Sequence, residues 1–252
     1  MSIPKSGRTW LRVFLYSYFC ALENRPFTLK KNELEGGKIP KLMFTHDLWG
    51  YLTARKLRDR LSGKHLIPPV QSREKPIVLL TRDPRDVIVS LFFQLSKRDH
   101  RYDGALSEMI RHPKFGIELI IDVMNIWMAE WGDRSDFKLL RYEDCRKNNE
   151  KTFREVLAFF GLQEVDDAIL AHSLKFASFE NMKTLEAIGQ VKEKKLLPGN
   201  VHDPESFKVR RGVVGGYRDY LSSEDVLYLE GAVARLDRRY GYGRETWASA
   251  NG

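Results

Sequence analysis

Short apolar runs alternate along this chain with longer segments in which apolar side chains recur every three or four residues. Residues 76–81 form the clearest apolar run, and residues 117–128 show the strongest helical recurrence. This alternation favours an α/β fold with a central parallel sheet flanked by helices, because parallel strands are joined by helical crossovers. No run of ~20 apolar residues and no internal repeat occurs, so we expect a single domain over residues 1–252 without a membrane span.

The same pattern predicts the individual elements. Strands are predicted at residues 1–4, 41–45, 76–81 and 137–142, and helices at residues 8–21, 51–61, 84–97, 115–131, 150–160, 166–174, 179–187 and 222–239. The third helix has the best start signal, because Asp83 can cap it and Pro84 suits its first position. The first strand is short, which leaves open whether the chain starts upstream of Met1. Residues 190–208 are polar, typical of a lid or binding loop.

Charge and cysteine content narrow the function classes. The chain has 42 basic and 34 acidic residues, a net charge of +8, which is compatible with an anionic ligand. The basic residues are spread along the chain without a nucleic-acid recognition signature, so no nucleic-acid partner is expected. Cys20 and Cys145 lack the spacing of zinc or redox sites, and too few residues precede the first motif for a signal peptide. Free thiols and a cytoplasmic location are therefore expected.

Three separated segments carry residues suited to anion binding. The first runs from the short strand into the first helix and reads Pro4-Lys5-Ser6-Gly7-Arg8-Thr9-Trp10. A glycine turn before a helix gathers backbone N–H groups at the positive end of the helix dipole, and Lys5 adds a mobile charge. The pattern of a Walker A loop is absent. Taken alone, this segment also fits an ordinary helix entry.

The other two segments place further cations beside polar groups. Arg82 follows a buried strand, where ligands bind in open α/β sheets, and Ser90 lies two turns into the next helix. Arg210 and Arg211 precede Gly212 in a glycine-rich run, and adjacent arginines suit bidentate phosphate binding. A capped helix and a solvated basic loop explain these two segments equally well when each is considered alone.

In this order, the segments resemble the motifs of cytosolic-type sulfotransferases, a family with bacterial members. These enzymes use 3′-phosphoadenosine-5′-phosphosulfate (PAPS). The first resembles their 5′-phosphosulfate loop, Arg82 with Ser90 their 3′-phosphate motif, and Arg210-Arg211-Gly212-x-x-Gly215 their R-K-G-x-x-G loop. Thr45-His46 stands where the family carries a K-T-H base. The resemblance covers residues 3 to about 220.

The resemblance implies a nucleotide-kinase-like fold, PAPS as co-substrate and no metal. It also implies the role of each residue, as follows: Lys5, Ser6, Gly7, Arg8 and Thr9 hold the 5′-phosphosulfate; Trp10 and Phe179 sandwich the adenine with Tyr142 at its edge; Arg82, Ser90, Arg210, Arg211 and Gly212 hold the 3′-phosphate. His46 would be the general base for in-line transfer to the hydroxyl of a small-molecule, lipid or sugar acceptor. Lys5 would stabilise the leaving phosphate, and Ser90 would hold Lys5 aside until the acceptor arrives.

Three departures from the family pattern bear on the acceptor and on nucleotide affinity. Phe44 stands two residues before the base, where animal members usually have lysine. Gly216-Tyr217-Arg218 replaces Asp-Trp-Lys, and Ala177 stands where a hydroxyl residue often touches adenine. The acceptor pocket is expected from the variable loops 23–38, 97–115 and 190–207. Phe14, Tyr18, Phe92, Phe93 and Trp127 are candidates for its apolar wall or for plain core.

Two other functions stay open at this point. A P-loop-type phosphotransferase would require Mg²⁺ and would fail in EDTA, whereas sulfuryl transfer would survive it. A protein that binds PAPS or another polyanion without turnover would bind nucleotide and form no product.

Overall fold

A parallel sheet at the centre of the fold positions the ends of several segments at one edge. In the computed structural model, which describes residues 1–30, 40–68, 74–188, 199–200 and 202–243, β1 (Ile77–Thr81) pairs in parallel with β2 (Phe137–Arg141). Ile77 lies opposite Phe137 and Thr81 opposite Arg141. The predicted α/β class, a parallel sheet flanked by helices, is confirmed.

The two outer strands of the prediction are not regular strands. The first is reduced to an isolated parallel bridge between Ser2 and Leu80. The predicted strand at 41–45 is wrong, since this segment contacts its neighbour through one backbone hydrogen bond, from Ser2 N–H to Thr45 O at 3.3 Å. The Phe44 ring of this segment instead contacts the Arg12 guanidinium group and the Tyr16 ring. The segments still lie in the order Thr45, Ser2, β1, β2.

Helices account for most of the described chain. They are α1 (Arg8–Leu22), α2 (Asp47–Leu52), α3 (Leu57–Leu61), α4 (Pro84–Phe93), α5 (Leu106–Met109), α6 (Ile117–Trp131), α7 (Tyr142–Lys147), α8 (Asn149–Phe159), α9 (Asp167–Phe176), α10 (Phe179–Ala187) and α11 (Ser223–Val233). A π-helical turn at Gln94–Arg98 continues α4, and 3₁₀ turns occupy Pro204–Ser206, Gly216–Asp219 and Arg238–Tyr240.

Two predicted helices differ from the structure for local reasons. The single helix expected at 51–61 is replaced by α2 and α3, because α2 begins earlier and ends at Thr53. The Thr45 hydroxyl accepts from Asp47 N–H at 2.8 Å at the start of α2, and the Thr53 hydroxyl donates to Trp49 O at 2.8 Å at its end. The last predicted helix stops at Val233 and is followed by a separate 3₁₀ turn.

Hydrophobic cores cover both faces of the sheet. Ile77 and Leu79 face the core built with α4, α6 and α11, whereas Val78 and Leu80 face the core built with α1, α8 and α9. This alternation follows from the two-residue period of a strand. No helix among the described residues is both long and apolar enough to cross a membrane. From the carboxyl ends of β1 and β2, the chain continues into Arg82 and Tyr142.

Candidate active site

A cavity of about 350 Å³ opens at this edge of the sheet. The predicted site residues that line it are Lys5, Gly7, Arg8, Thr9, Trp10, His46, Arg82, Ser90, Tyr142, Phe179, Arg210, Arg211 and Gly212. Ser6 is the predicted residue that does not line it, because its side chain is fully buried beneath the loop. Segments more than 200 residues apart in the chain therefore share one cavity.

The loop before α1 has the geometry of an anion site. Lys5 and Gly7 both have positive φ angles, 70° and 94°, and Gly7 is the N-cap of α1 without a side-chain cap. The first N–H groups of α1 are therefore free of a capping side chain at the positive end of the helix dipole. The Tyr142 ring packs against this loop so closely that a Cβ on Gly7 would lie 2.8 Å from its Cδ2.

The Lys5 ammonium group lies inside the cavity among other cations. Its Nζ donates to Gln94 Oε1 at 3.3 Å, so the residue that holds Lys5 in this structure is Gln94 and the expected contact with Ser90 is absent. Burial, together with repulsion from Lys208 and Arg98, lowers the pKa of Lys5 to about 7. A negative charge that entered the cavity would favour the charged form of Lys5.

His46 presents one defined ring nitrogen to the cavity. Its Nδ1 lies 2.7 Å from the Ser2 carbonyl oxygen, and a carbonyl can only accept, so Nδ1 carries the proton and Nε2 carries the lone pair. Burial, followed by repulsion from Arg8, lowers the pKa of His46 to about 3. The imidazole is therefore neutral near pH 7, which is the form of a proton acceptor.

Arg82 connects the sheet edge to the glycine-rich segment. Its Nη2 donates to Val213 O at 2.7 Å and lies 3.4 Å from Asp86 Oδ2. The guanidinium group also lies 4.6 Å from the centre of the Tyr142 ring. Its Nε is buried without a hydrogen-bond partner among the described residues, which leaves one donor for a ligand.

Residues 208–217, here called the arginine loop, are held at their far end by Asp86. This buried carboxylate accepts from Gly215 N–H at 2.8 Å and from Tyr217 N–H at 3.0 Å. Gly215 has a φ of 74°, the left-handed conformation that lets the chain turn towards both contacts. Burial raises the pKa of Asp86 from its ordinary value.

The near end of the arginine loop is held by Glu186 on α10. Glu186 is fully buried and accepts from Lys208 N–H at 2.6 Å and from Val209 N–H at 2.9 Å. Arg98 supplies the counter-charge at 3.4 Å. Two carboxylates on different helices therefore fix both ends of the segment that carries Arg210 and Arg211.

Arg210 and Arg211 are ordered by acidic partners. Arg210 Nη1 donates to Glu205 Oε2 at 2.8 Å, and Arg211 Nη2 lies 2.6 Å from Asp219 Oδ2. Both guanidinium groups also donate to the Tyr220 hydroxyl, at 2.5 and 3.2 Å. Shared partners of this kind keep the two forks side by side at the cavity wall.

Aromatic rings surround the rest of the cavity. A Cβ on Gly212, whose φ is 65°, would lie 2.7 Å from Phe179 Cδ2, so the loop and the ring are in close contact. The Tyr142 hydroxyl donates to Gly212 O at 3.3 Å, and the Trp10 and Tyr142 rings meet edge to face at 5.6 Å. Ala177, one of the departures, is buried in the core and does not line the cavity.

The candidate apolar wall is core instead. Phe14, Tyr18 and Trp127 are fully buried, and Phe92 and Phe93 pack against the core without lining the cavity. Of the loops expected to build the acceptor pocket, residues 31–38, 190–198 and 201 lie outside the described part of the chain. Residues 190–198 and 201 also belong to the predicted lid.

Sequence reasoning missed several residues that act at this cavity. Gln94 and Lys208 line it, and Asp86 and Glu186 hold the arginine loop. Lys208 lies two residues before the predicted Arg210, and burial with Arg98 and Arg8 nearby lowers its pKa to about 8. Glu186 gave no local signal, because its contacts join residues 22 and 23 positions apart in the chain.

Comparisons with known proteins agree on one family. A family model described as "Sulfotransferase domain" matches residues 1–235. Cytosolic sulfotransferase 16 of Arabidopsis thaliana is 27% identical over 257 residues, covering 92% of this chain and 73% of that protein. The amine sulfotransferase of Oryctolagus cuniculus is 25% identical over 250 residues, covering 89% of this chain and 75% of that protein.

Solved structures show the same fold. A crystal structure of mouse sulfotransferase SULT7A1 complexed with PAP matches with a TM-score of 0.62 at 19% identity, covering 93% of this chain and 82% of that one. Retinol dehydratase in complex with androsterone and inactive cofactor PAP matches with a TM-score of 0.61 at 17% identity, covering 92% and 78%.

Proposed function

Because the chain belongs to the sulfotransferase-domain family, as its motifs predicted, we propose that it transfers the sulfuryl group of PAPS to an acceptor hydroxyl. The observation that carries the proposal is the convergence of the loop before α1, Arg82, the arginine loop and His46 on one cavity. Two curated relatives of Arabidopsis thaliana are named cytosolic sulfotransferases. We extend the cytoplasmic location to this chain as part of the proposal, along with a single catalytic domain.

The residues of the cavity fit a doubly anionic adenine nucleotide. Arg82 Nε is a buried polar atom without a partner among the described residues, and such atoms are rare unless a ligand or water serves them. Lys5 and Lys208 repel each other within the cavity, and an anion between them removes that cost. Trp10 and Phe179 supply aromatic surface for a base. The 5′-phosphosulfate would lie on the loop before α1, and the 3′-phosphate would lie at Arg82, Ser90 and the arginine loop.

In the proposed reaction, His46 Nε2 takes the proton of the acceptor hydroxyl as its oxygen attacks sulfur. The new bond joins the acceptor oxygen to sulfur, and the bond from sulfur to the bridging oxygen breaks in line with it. The electron pair of that bond remains on the 5′-phosphate, where Lys5 stabilises the added charge. The products are the sulfated acceptor and adenosine 3′,5′-bisphosphate, and His46 then releases its proton.

The nucleotide itself would strengthen the base. A pKa of about 3 makes His46 a weak proton acceptor, because catalytic bases work best with a pKa near the operating pH. Part of this depression comes from Arg8 and Lys208. A bound phosphosulfate neutralises both cations, so the pKa of His46 rises when the nucleotide is in place. Proton transfer is thereby favoured after co-substrate binding rather than before it.

Transfer of label from radioactive PAPS to a panel of alcohols and phenols tests the proposal. We expect product with the wild-type protein in the presence of EDTA, and a loss of about 10²–10⁴-fold in His46→Ala. Titration calorimetry with adenosine 3′,5′-bisphosphate serves as the control, and we expect the same affinity for wild type and variant. Failure of the folded wild-type protein to bind this nucleotide would contradict the proposal. Transfer of phosphate that depends on Mg²⁺ and stops in EDTA would favour a phosphotransferase instead.

A further inference from the structure

A second cavity, of about 590 Å³, opens beside His46. It shares His46, Arg8 and Arg101 with the first cavity and continues past them to residues 43–47 and 64–67. The base assigned above therefore stands between a nucleotide cavity and a second space. The place of that space, on the far side of the base, is where an acceptor hydroxyl would enter.

Positive charge dominates the lining of the second cavity. Among the described residues, its cations are Arg8, Arg55, Lys64 and Arg101, and its carboxylate is Asp47.

The one carboxylate is already engaged. Both oxygens of Asp47 are used in the fold, since Oδ1 accepts from Ile67 N–H at 2.7 Å and Oδ2 accepts from Trp127 Nε1–H at 3.0 Å. Lys64 lies 3.6 Å from Asp59 and is partly neutralised. Three guanidinium groups are left without an ion pair among the described residues.

These guanidinium groups differ in how firmly they are held. Arg8 is partly buried, and burial together with repulsion from Arg12 lowers its pKa to about 10. Arg101 Nη2 donates to Thr53 O at 3.2 Å, and its guanidinium carbon lies 5.5 Å from the centre of the Phe115 ring. Arg55 is exposed at the rim. Arg101 is thus fixed in place, whereas Arg55 can move to meet a ligand.

Two aromatic residues, Phe44 and Trp49, also line the second cavity. Phe44 lies 5.9 Å from Tyr16 edge to face and 4.7 Å from the guanidinium carbon of Arg12. Trp49 is buried in the core at the boundary of both cavities. A ligand that fills this space therefore meets both aromatic rings and guanidinium groups.

We propose that the second cavity binds the acceptor and selects a hydroxyl compound that also carries a carboxylate on an apolar body. The inference rests on the proposed sulfuryl transfer, which requires the hydroxyl to reach His46. Planar guanidinium forks match a carboxylate in two parallel hydrogen bonds, and unpaired cations beside an apolar wall favour an anionic ligand over a neutral one. Arg101 and Arg55 would hold the carboxylate, and Phe44 and Trp49 would contact the body.

A matched pair of acceptors tests the selection on the full chain. 4-Hydroxybenzoate and 4-hydroxybenzamide have nearly the same shape and differ in charge. At saturating PAPS we expect kcat/KM to be about tenfold higher for the acid. Arg101→Gln and Arg55→Gln should each reduce that preference about fivefold. Arg154→Gln, a change of an exposed arginine on α8 outside both cavities, should leave both acceptors unchanged.

Binding measurements separate this inference from the proposed function. Calorimetry measures the affinity of each compound for the complex of the protein with adenosine 3′,5′-bisphosphate. The measurement does not require turnover, so it also reports on a compound that is a slow acceptor. Tighter binding of 4-hydroxybenzoate that is lost in Arg101→Gln supports the inference. Normal nucleotide binding with equal or better use of the amide overturns the inference and leaves sulfuryl transfer standing. Absence of nucleotide binding overturns both.

Discussion

The Ser2 carbonyl, 2.7 Å from His46 Nδ1, decides which nitrogen of the imidazole is free for chemistry. Ser2 is itself fixed by its bridge to Leu80 and by its contact with Thr45, so the tautomer depends on the sheet edge. Sequence reasoning identified His46 from its place at the end of a predicted strand and from the resemblance. The partner of its ring could not be predicted, because it is a backbone atom 44 residues away.

The titration of Lys5 and Lys208 predicts how nucleotide binding changes with pH. Each has a lowered pKa, about 7 and about 8, and each attracts an anion only when charged. The charged forms are complete well below these values and are lost as the pH rises through them. We therefore expect the affinity for adenosine 3′,5′-bisphosphate to fall between pH 7 and 9, with proton uptake on binding.

Calorimetry at several pH values, in buffers with different heats of ionisation, measures both effects. Lys5→Arg is the matched control, because a guanidinium group stays charged over this range and should flatten the pH dependence. An affinity for the nucleotide that is constant from pH 7 to 9 in the wild-type protein would contradict the assignment of both lysines.

Gly7 provides a second residue-level prediction. Gly7 and Gly161 have nearly equal φ angles, 94° and 93°, yet a Cβ would meet Tyr142 at 2.8 Å in the first case and nothing within 4 Å in the second. Gly161→Ala measures backbone strain alone, about 1–3 kcal/mol. Gly7→Ala should cost about 1–3 kcal/mol more, because the ring must shift.

Urea unfolding of both variants gives the comparison, and nucleotide affinity should drop in Gly7→Ala alone. Equal loss of stability in the two variants would mean that the Tyr142 ring can move away at no cost.

At the scale of elements, the helices with strong local signals were predictable and the irregular segments were not. The Asp83 side chain caps α4 at Arg85 N–H as expected, because a cap and a proline act within one turn. The start of α7 at Tyr142 was missed, since the predicted strand ran to residue 142, whereas the Tyr142 ring packs against Gly7. Long-range contacts of this kind cannot be predicted from the periodicity of apolar residues in the sequence.

The two carboxylates of the arginine loop predict a positioning effect. Glu186→Gln removes one of the two acceptor oxygens, so that Lys208 N–H or Val209 N–H loses its partner, and Arg98 loses its counter-charge. We expect a loss of about 1–3 kcal/mol in stability and a weaker affinity for adenosine 3′,5′-bisphosphate.

Glu205→Gln is the control, because Glu205 contacts the Arg210 side chain and not the loop backbone. It should leave the free energy of unfolding nearly unchanged, since the carboxylate is partly exposed. A Glu186→Gln variant with wild-type nucleotide affinity would show that the loop keeps its shape without this contact.

At the scale of the whole molecule, the site lies at the edge of the sheet where β1 and β2 end. The order Thr45, Ser2, β1, β2 brings His46, the loop before α1 and Arg82 to that edge, although the outer segments are not regular strands. The fold class and most residues that line the cavity could be predicted, because the motifs stand close to element ends in the chain. The charge balance of the cavity depends on which pairs form in space, and it became visible only in the structure.

This charge balance predicts a stabilising effect of the nucleotide on the whole fold. Lys5, Arg8 and Lys208 gather inside the protein with lowered pKa values, so their charges repel in the absence of an anion. A ligand at 100 times its Kd stabilises a protein by about 2.7 kcal/mol, which corresponds to roughly 5–10 °C in Tm for a chain of this size.

We expect a shift of this size with adenosine 3′,5′-bisphosphate and a smaller one with adenosine 5′-monophosphate at equal concentration. The difference isolates the 3′-phosphate, and it should become smaller in Arg82→Gln, whose guanidinium group follows β1 at the cavity wall. Equal shifts with both nucleotides in the wild-type protein would mean that Arg82 and the arginine loop do not hold the 3′-phosphate.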